Sequence, residues 1–250
     1  MAVDIKSEEW QGAKREDIYE VLSSVKDVLD NAFGTVISED ILVHTNLSGH
    51  APIVLYERGK NQEYKIELSS VGTYWCQHAY QFAHEYCHIR TNYLSGSPKC
   101  KWFEESICEL SSLYALRKMS QVWQENPPYE NWREYAVALE KYATRFMTKP
   151  EHQLDKGLAL ETWLYANLGE LEDDKYIRQK NAIIAIELLP LFECDMKLWN
   201  SMTYWNRWEV SPSDTIDKSF GKWYQIVPPE NKSGLEAAMA LMGFPIDSDT

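Results

Sequence analysis

The sequence has no long apolar run, since none of its hydrophobic stretches approaches the roughly 18 residues that a membrane span requires. Its first part, Met1 to Asp17, is polar and charged and lacks the apolar core of a secretory signal. We therefore expect a soluble, cytoplasmic protein that has no membrane partner.

Cysteine is scarce, and basic residues are outnumbered. The five cysteines include no C-x-x-C pair, which argues against a disulfide framework and against a zinc site built from cysteines alone. Lys and Arg total 25 against 38 Asp and Glu, the formal net charge is −13, and no basic cluster follows the spacing of a phosphate backbone. Nucleic acid is therefore not an expected partner.

Apolar and aromatic residues, by contrast, are plentiful. Ten Trp, fifteen Tyr and seven Phe contribute to a hydrophobic fraction of 44%, which is enough for a sizeable core in a chain of 250 residues. We therefore expect a globular protein that folds without cross-links.

The spacing of apolar residues changes along the chain and predicts its secondary structure. Helical spacing predicts a helix from Asp17 to Phe33, and Gly34 stands where that helix would end. Segments rich in β-formers predict three strands of one sheet, at about Ile41 to Thr45, Ile53 to Tyr56 and Tyr64 to Leu68. Further helices are predicted at Thr73 to Tyr93, at about Lys101 to Met119, and over most of the chain beyond Asn126, with breaks near Pro150, Pro190, Pro212 and Pro228-Pro229.

These elements predict an α+β fold with two parts. Residues 1–95 would form an α/β lobe that ends in the helix from Thr73 to Tyr93, and residues 96–250 would form a helical lobe.

His84, Glu85 and His88 match the pattern H-E-x-x-H on the first of these later helices. Residues four apart on a helix point the same way, so the two imidazoles can bind one zinc ion through neutral nitrogens. Glu85 lies about 100° further round the helix, from where its carboxylate can act as a general base without binding the metal. The pattern predicts a Zn²⁺ site with a catalytic glutamate.

The rest of this helix fits the same arrangement. Its side away from the histidines is apolar, which predicts a face packed against the core. The residues on that side are Trp75, Ala79, Phe82, Tyr86 and Ile89. Gln77 and Gln81 lie on the histidine side, where we expect the polar floor of a cleft.

An acidic pair on the next helix offers a third ligand. Glu105 and Glu109 lie one turn apart, and a carboxylate would complete a His₂Glu catalytic zinc site. Glu109 would accept the remaining N–H of a ligand histidine and fix its orientation. Glu104 competes with Glu105 for the metal, and we prefer Glu105 because Glu109 shares its face while Glu104 points about 100° away.

These residues resemble the gluzincins, the zinc metallopeptidases that include thermolysin and a group of aminopeptidases. His84 and His88 match the paired ligands of the family, Glu85 matches its catalytic glutamate, and Glu105 matches its glutamate ligand. The resemblance covers roughly Ile41 to Met119. It implies a zincin-like small mixed sheet with an active-site helix, followed by a mostly α-helical lobe that carries the third ligand.

The resemblance has further implications and some departures. Glu109 stands where thermolysin-like enzymes have a second carboxylate, and a strand, for which we choose Ile53 to Tyr56, would form the cleft rim and pair with an extended substrate. Glu104 replaces a common Asn, Ser106 replaces a common Gly, and the gap from His88 to the glutamate is short.

Family members usually stabilise the oxyanion of the reaction with a Tyr or His from the helical lobe. Tyr204 is our choice because polar side chains surround it, and His152 and Tyr165 remain alternatives. The other candidate side chains are expected to play no part in metal binding. His44, His50 and His78 would be structural or exposed, and Cys87 and Cys108 would lie near the site without binding the metal.

The sequence therefore predicts a zinc metallopeptidase that acts on a peptide or protein substrate, with Glu85 as the general base. Two alternatives stay open. The same ligands would serve a hydrolase of a non-peptide amide or ester, and the zinc could belong to a binding or regulatory module without turnover. Glu85 argues against a purely structural zinc, because a closed site needs no base beside its ligands.

Overall fold

A small sheet organises the first part of the chain in the computed structural model, which describes residues 2–6, 10–46 and 48–245. Its strands are β1 (Val3–Ile5), β2 (Ile41–Thr45), β3 (Ile53–Val54) and β4 (Tyr64–Leu68), in the order β1-β2-β4-β3. β1 and β4 run parallel to β2, and β3 runs antiparallel to β4. The predicted α+β class with a small mixed sheet is confirmed.

The three predicted strands are confirmed, although β3 ends at Val54 and Tyr56 lies exposed beyond it. β4 buries Ile66 and Leu68 and leaves Glu67 between them half-buried, as the alternation of a strand requires. β1 was not predicted, because three residues are too few to establish a period of two.

The first helix, α1 (Arg15–Phe33), packs an apolar stripe into the core and is confirmed to within two residues. The fully buried residues of this stripe are Ile18, Val21, Leu22, Val25 and Leu29. Gly34 has φ +67°, the left-handed conformation that commonly ends a helix.

The next two helices, α2 (Trp75–Arg90) and α3 (Lys101–Glu125), run antiparallel where they contact each other. Ser111 Oγ donates to the carbonyl of Ala83 at 3.2 Å, and Ser112 Oγ donates to the carbonyl of Tyr80 at 2.9 Å. From Ser111 to Ser112 the chain moves forward along α3, while the acceptor moves back along α2 from Ala83 to Tyr80. The two helices are therefore antiparallel here. The predicted apolar side of α2 is confirmed, since its five residues are all buried.

The chain after α3 is mostly helical, as predicted. The helices are α4 (Ala136–Met147), α5 (Leu160–Asp173), α6 (Arg178–Cys194), α7 (Met196–Met202), α8 (Ile216–Ile226) and α9 (Lys232–Leu241). Short 3₁₀ turns span Pro98–Cys100, Glu130–Tyr135, Pro150–His152 and Pro229–Asn231.

One predicted break is wrong, because α6 continues through Pro190. Proline cannot donate the hydrogen bond to the carbonyl four residues earlier, which here belongs to Ile186. Pro190 is exposed and Ile186 is half-buried, so the bond is lost on the outer side of the helix, near its C-terminal end. The breaks near Pro150, Pro212 and Pro228-Pro229 are confirmed.

The residues group into two compact units. The first contains the sheet, α1, α2 as far as Ile89, α3 from Ser111 onward and the chain as far as Arg145. The second contains Ala32–Gly34, Arg90–Leu110 and the chain from Phe146 onward. α3 is one unbroken helix that contributes to both. The predicted boundary between residues 95 and 96 stays a prediction.

The second unit has an aromatic core. Phe103 packs edge-on against Trp205 and Phe220 at ring-centroid distances of 4.8 and 5.0 Å, and Trp223 lies 5.0 Å from Trp205. Within the described ranges, no helix of either unit combines the length and the apolarity that crossing a membrane requires.

Candidate metal centre

α2 carries His84 and His88 on its accessible side. Both side chains are half-buried, and their ring centroids lie 5.0 Å apart with an angle of 68° between the ring planes. Their four-residue spacing on an unbroken helix produces this proximity. The two rings are close enough for one nitrogen of each to bind the same ion after small side-chain rotations.

One of the two glutamines on α2 holds the loop before the helix. Gln81 Oε1 accepts hydrogen bonds from the backbone N–H groups of Ser69 and Ser70, at 3.0 and 2.9 Å. Gln77 is exposed. Gln81 therefore anchors the loop between β4 and α2, which is a structural role that we did not predict for it.

His78, one turn before this glutamine, is fully buried. Its Nδ1 lies 2.7 Å from Ser70 Oγ and its Nε2 lies 2.9 Å from the carbonyl of Gly72. Burial lowers the pKa of His78 to about 4, against the smaller opposing effect of the bond to Gly72. This is the structural histidine that the sequence predicts.

Glu85 lies beside the two candidate ligand histidines, and its side chain is only 4% exposed. Its Oε2 accepts a hydrogen bond of 2.8 Å from the backbone N–H of Val54 in β3. Leu55 donates to Lys65 in β4, so the N–H of Val54 points to the outer side of this edge strand. The carboxylate is thereby fixed between α2 and the edge of the sheet.

A buried polar contact fixes the back of the motif. Tyr86 is fully buried, and its hydroxyl donates to the carboxylate of Asp30 in α1, which also pairs with Lys26 one turn earlier. This contact limits rotation of α2 about its axis and keeps His84 and His88 on the opposite side.

Glu104, the competitor of Glu105 for the metal, is engaged elsewhere. Its Oε2 accepts hydrogen bonds from Lys101 Nζ at 3.0 Å and from Asn206 Nδ2 at 2.9 Å, and the side chain is buried. An oxygen that holds a lysine and an amide has little capacity left for a metal. These contacts support the preference for Glu105, which is half-buried.

The first part of α3 is buried on more than one side. Of its first ten residues only Lys101 and Glu105 are not buried, and Glu109 is among the buried ones. The first part of α3 is therefore enclosed around most of its circumference. The role of Glu109 as hydrogen-bond acceptor for a ligand histidine stays a prediction.

Cys108 lies with the two histidines. The cysteine Sγ and one ring nitrogen each of His84 and His88 all lie within 4.8 Å of one another. Two imidazoles and a thiolate are a donor set that zinc accepts. We predicted Cys108 near the site without a role in binding. Its spacing of three residues from Glu105, which puts both on one side of α3, is the signal that could have identified it.

The candidates for stabilising an oxyanion have distinct surroundings. Tyr204 is half-buried just after α7, and its role stays a prediction. His152 is buried, with Nδ1 2.9 Å from the carbonyl of Phe146 and its ring tilted by 43° against that phenyl group, while Tyr165 is 87% exposed. His50 is exposed and His44 is half-buried on β2.

No protein-family model, no curated protein and no solved structure matches this chain. The gluzincin resemblance rests on the H-E-x-x-H residues and the acidic residues of α3, and it stays a prediction.

Proposed function

We propose that the protein is a zinc-dependent hydrolase that cleaves peptide bonds, with His84 and His88 as metal ligands and Glu85 as the general base. The observation that carries the proposal is the arrangement of these three side chains. The histidine rings lie 5.0 Å apart on the accessible side of α2, and the glutamate is buried beside them. A helix that served only as a core element would not need two adjacent imidazoles there.

The donors suit zinc. Neutral imidazole nitrogens bind zinc well, and a third donor from α3 would leave one position for water or substrate. When bound, zinc acts as a Lewis acid that makes a water more acidic and polarises a carbonyl oxygen. The resemblance to the gluzincins implies Glu105 as this third donor, with Glu109 holding the N–H of a ligand histidine.

Glu85 has the constraints that a general base needs. The N–H of Val54 holds Oε2 at 2.8 Å, which restrains the position of the carboxylate. Oε1 would take the proton of the attacking water and deliver it to the leaving amine. Low solvent exposure reduces competition from bulk water for this oxygen. Tyr204 would donate a hydrogen bond to the oxyanion.

One observation favours a second candidate, a zinc-containing binding module without turnover. The hydrogen bond between Glu85 and Val54 gives the glutamate a structural task at the sheet edge, which would account for a buried carboxylate without any catalysis. A hydrolase of a non-peptide amide or ester would use the same side chains as a peptidase.

The deciding experiment combines metal analysis with cleavage of a peptide library. We expect about one zinc ion per wild-type chain. Glu85→Gln keeps an acceptor for Val54 but cannot take up a proton, so zinc should remain while turnover falls at least about 100-fold. Glu57→Gln, which makes the same change at an exposed position, is the matched control and should cleave normally.

Each alternative predicts a different result. Wild-type protein without stoichiometric metal would refute the zinc site. Zinc without cleavage of any peptide would favour the binding module, or the amide and ester hydrolase if small substrates of that kind turn over. Equal turnover in Glu85→Gln and Glu57→Gln would remove Glu85 from the chemistry.

A further inference from the structure

α3 offers two potential ligands on the side that faces α2. Glu105, Cys108 and Ser112 follow one another at spacings of three and four residues, so they lie along one stripe of the helix. Ser112 and its neighbour Ser111 contact α2 directly. This stripe is therefore the part of α3 that points toward α2.

The antiparallel direction decides which of the two lies level with the histidines. Ser111 is level with Ala83, and one turn back along α3 corresponds to one turn forward along α2. Each turn advances about 5.4 Å, so Cys108 falls between His84 and His88. Glu105 falls one further turn along, level with the end of the motif.

The distances agree with this placement. The Sγ of Cys108 and the two ring nitrogens are within 4.8 Å of one another. Tetrahedral zinc with ordinary bond lengths would bring such donors to roughly 3.3 to 3.6 Å apart. Side-chain rotations that move each donor atom by about an ångström would bring the donors to the separations that zinc requires. Among the described His, Cys, Asp and Glu side chains, the group whose ligand atoms lie within 4.8 Å of one another is His84, His88 and Cys108.

We propose that the thiolate of Cys108 is the third protein ligand, so that the metal site is His₂Cys. The inference rests on the proposed metal site and names its ligands. The thiol releases its proton to solvent when it binds the metal as a thiolate. Cys108 is fully buried, and a buried thiolate is favourable only with a cation beside it. The metal supplies that cation.

Cobalt substitution tests the ligand directly, because it reports a metal–sulfur bond without any need for activity. We expect wild-type protein loaded with about one Co²⁺ to show the strong near-ultraviolet thiolate-to-cobalt absorption band. Cys108→Ala should lose the band and should bind zinc at least about 100-fold more weakly. Removing a group that only hydrogen-bonds a metal ligand costs about 10- to 100-fold in affinity, and removing a ligand should cost at least as much. Glu105→Gln should keep the band.

Cys87→Ala is the matched control. Cys87 is also a fully buried thiol and is adjacent to His88 in sequence, so its removal should leave the band unchanged. Wild-type protein that binds Co²⁺ without the band, or a band that disappears in Cys87→Ala and persists in Cys108→Ala, would overturn the inference.

The wild-type spectrum alone is decisive if Cys108→Ala does not fold. Protein that takes up no Co²⁺ or Zn²⁺ would overturn both the ligand assignment and the proposed function. Uptake of Co²⁺ without a sulfur band, together with peptide cleavage that depends on Glu85, would overturn the assignment alone and would favour Glu105 as the ligand.

Discussion

His78 shows how one buried side chain can set the pH dependence of folding. Its ring packs against Trp10 and Trp75 at centroid distances of 5.7 and 5.8 Å, and both its nitrogens face polar partners. Desolvation lowers its pKa from an ordinary 6.5 to about 4. The unfolded chain therefore takes up a proton at a higher pH than the folded protein does.

The sign of the effect follows from that difference. The contribution of His78 to the free energy of unfolding is complete above about pH 6.5 and decreases as the pH falls towards 4. Between pH 7 and pH 5 the loss should be roughly 2 kcal/mol. His78→Gln, which has no titrating ring, should show a pH dependence that is smaller by this amount in urea unfolding.

His50→Gln is the control for this measurement, because His50 is exposed and should leave the pH dependence unchanged. If the free energy of unfolding changes equally with pH in wild type and in His78→Gln, His78 is not the titrating group. The two candidate metal ligands, His84 and His88, are present in all three proteins and affect them equally.

At the scale of single residues, the sequence identified the H-E-x-x-H residues and predicted the structural role of His78. They did not predict the bond between Glu85 and Val54, because it joins residues 31 positions apart and depends on which side of β3 faces outward. They also did not assign Cys108 to the ligand group. A buried thiol is common in any core, and only the level of α3 against α2 distinguishes this one.

The contact between α2 and α3 depends on small residues. Ser111 and Ser112 are fully buried and bond to the backbone of α2, which requires the two helices to approach closely. Ser111→Leu would add volume at this contact and remove the hydrogen bond from Ser111 to the carbonyl of Ala83. We expect a loss of about 1 to 3 kcal/mol in the free energy of unfolding and weaker zinc retention.

Urea unfolding and zinc retention against a chelator measure these two effects. Gln121→Leu, an exposed substitution on the same helix, should change neither by more than about 0.5 kcal/mol. Unaltered stability in Ser111→Leu would mean that the helices do not need this close approach.

The elements themselves were mostly predictable, and the exceptions have physical reasons. β1 is three residues long, and a period of two cannot be recognised over that length. α6 tolerates Pro190 because the lost bond is on the outer side of the helix. α3 carries carboxylates, which normally indicate a solvent-facing side, but Glu104 and Glu109 are buried. The number of neighbours around a helix is not encoded in its own periodicity.

For the molecule as a whole, the aromatic residues that indicated a large core are concentrated in a few clusters. Phe103 is central to the one in the second unit, with Trp205, Phe220 and Trp223 within 6.0 Å between ring centroids. Phe103→Ala would leave a cavity among rigid rings that cannot collapse. The expected loss in the free energy of unfolding is about 3 to 5 kcal/mol, measured in urea.

Tyr165→Ala removes an aromatic ring that is 87% exposed and is the control for this substitution. It should change the free energy of unfolding by less than about 0.5 kcal/mol. Comparable losses in the two variants would argue that the cluster around Phe103 does not hold the unit together.

Glu85 also covers a hydrogen-bond donor at the edge of the sheet. An edge strand with unsatisfied outward N–H groups is a template on which another chain can add a strand, and this is a common start of aggregation. β3 is such an edge strand, and the N–H of Val54 is already bonded to a charged side chain of its own molecule. The bond removes one outward donor from this edge, which gives Glu85 a task that does not depend on turnover.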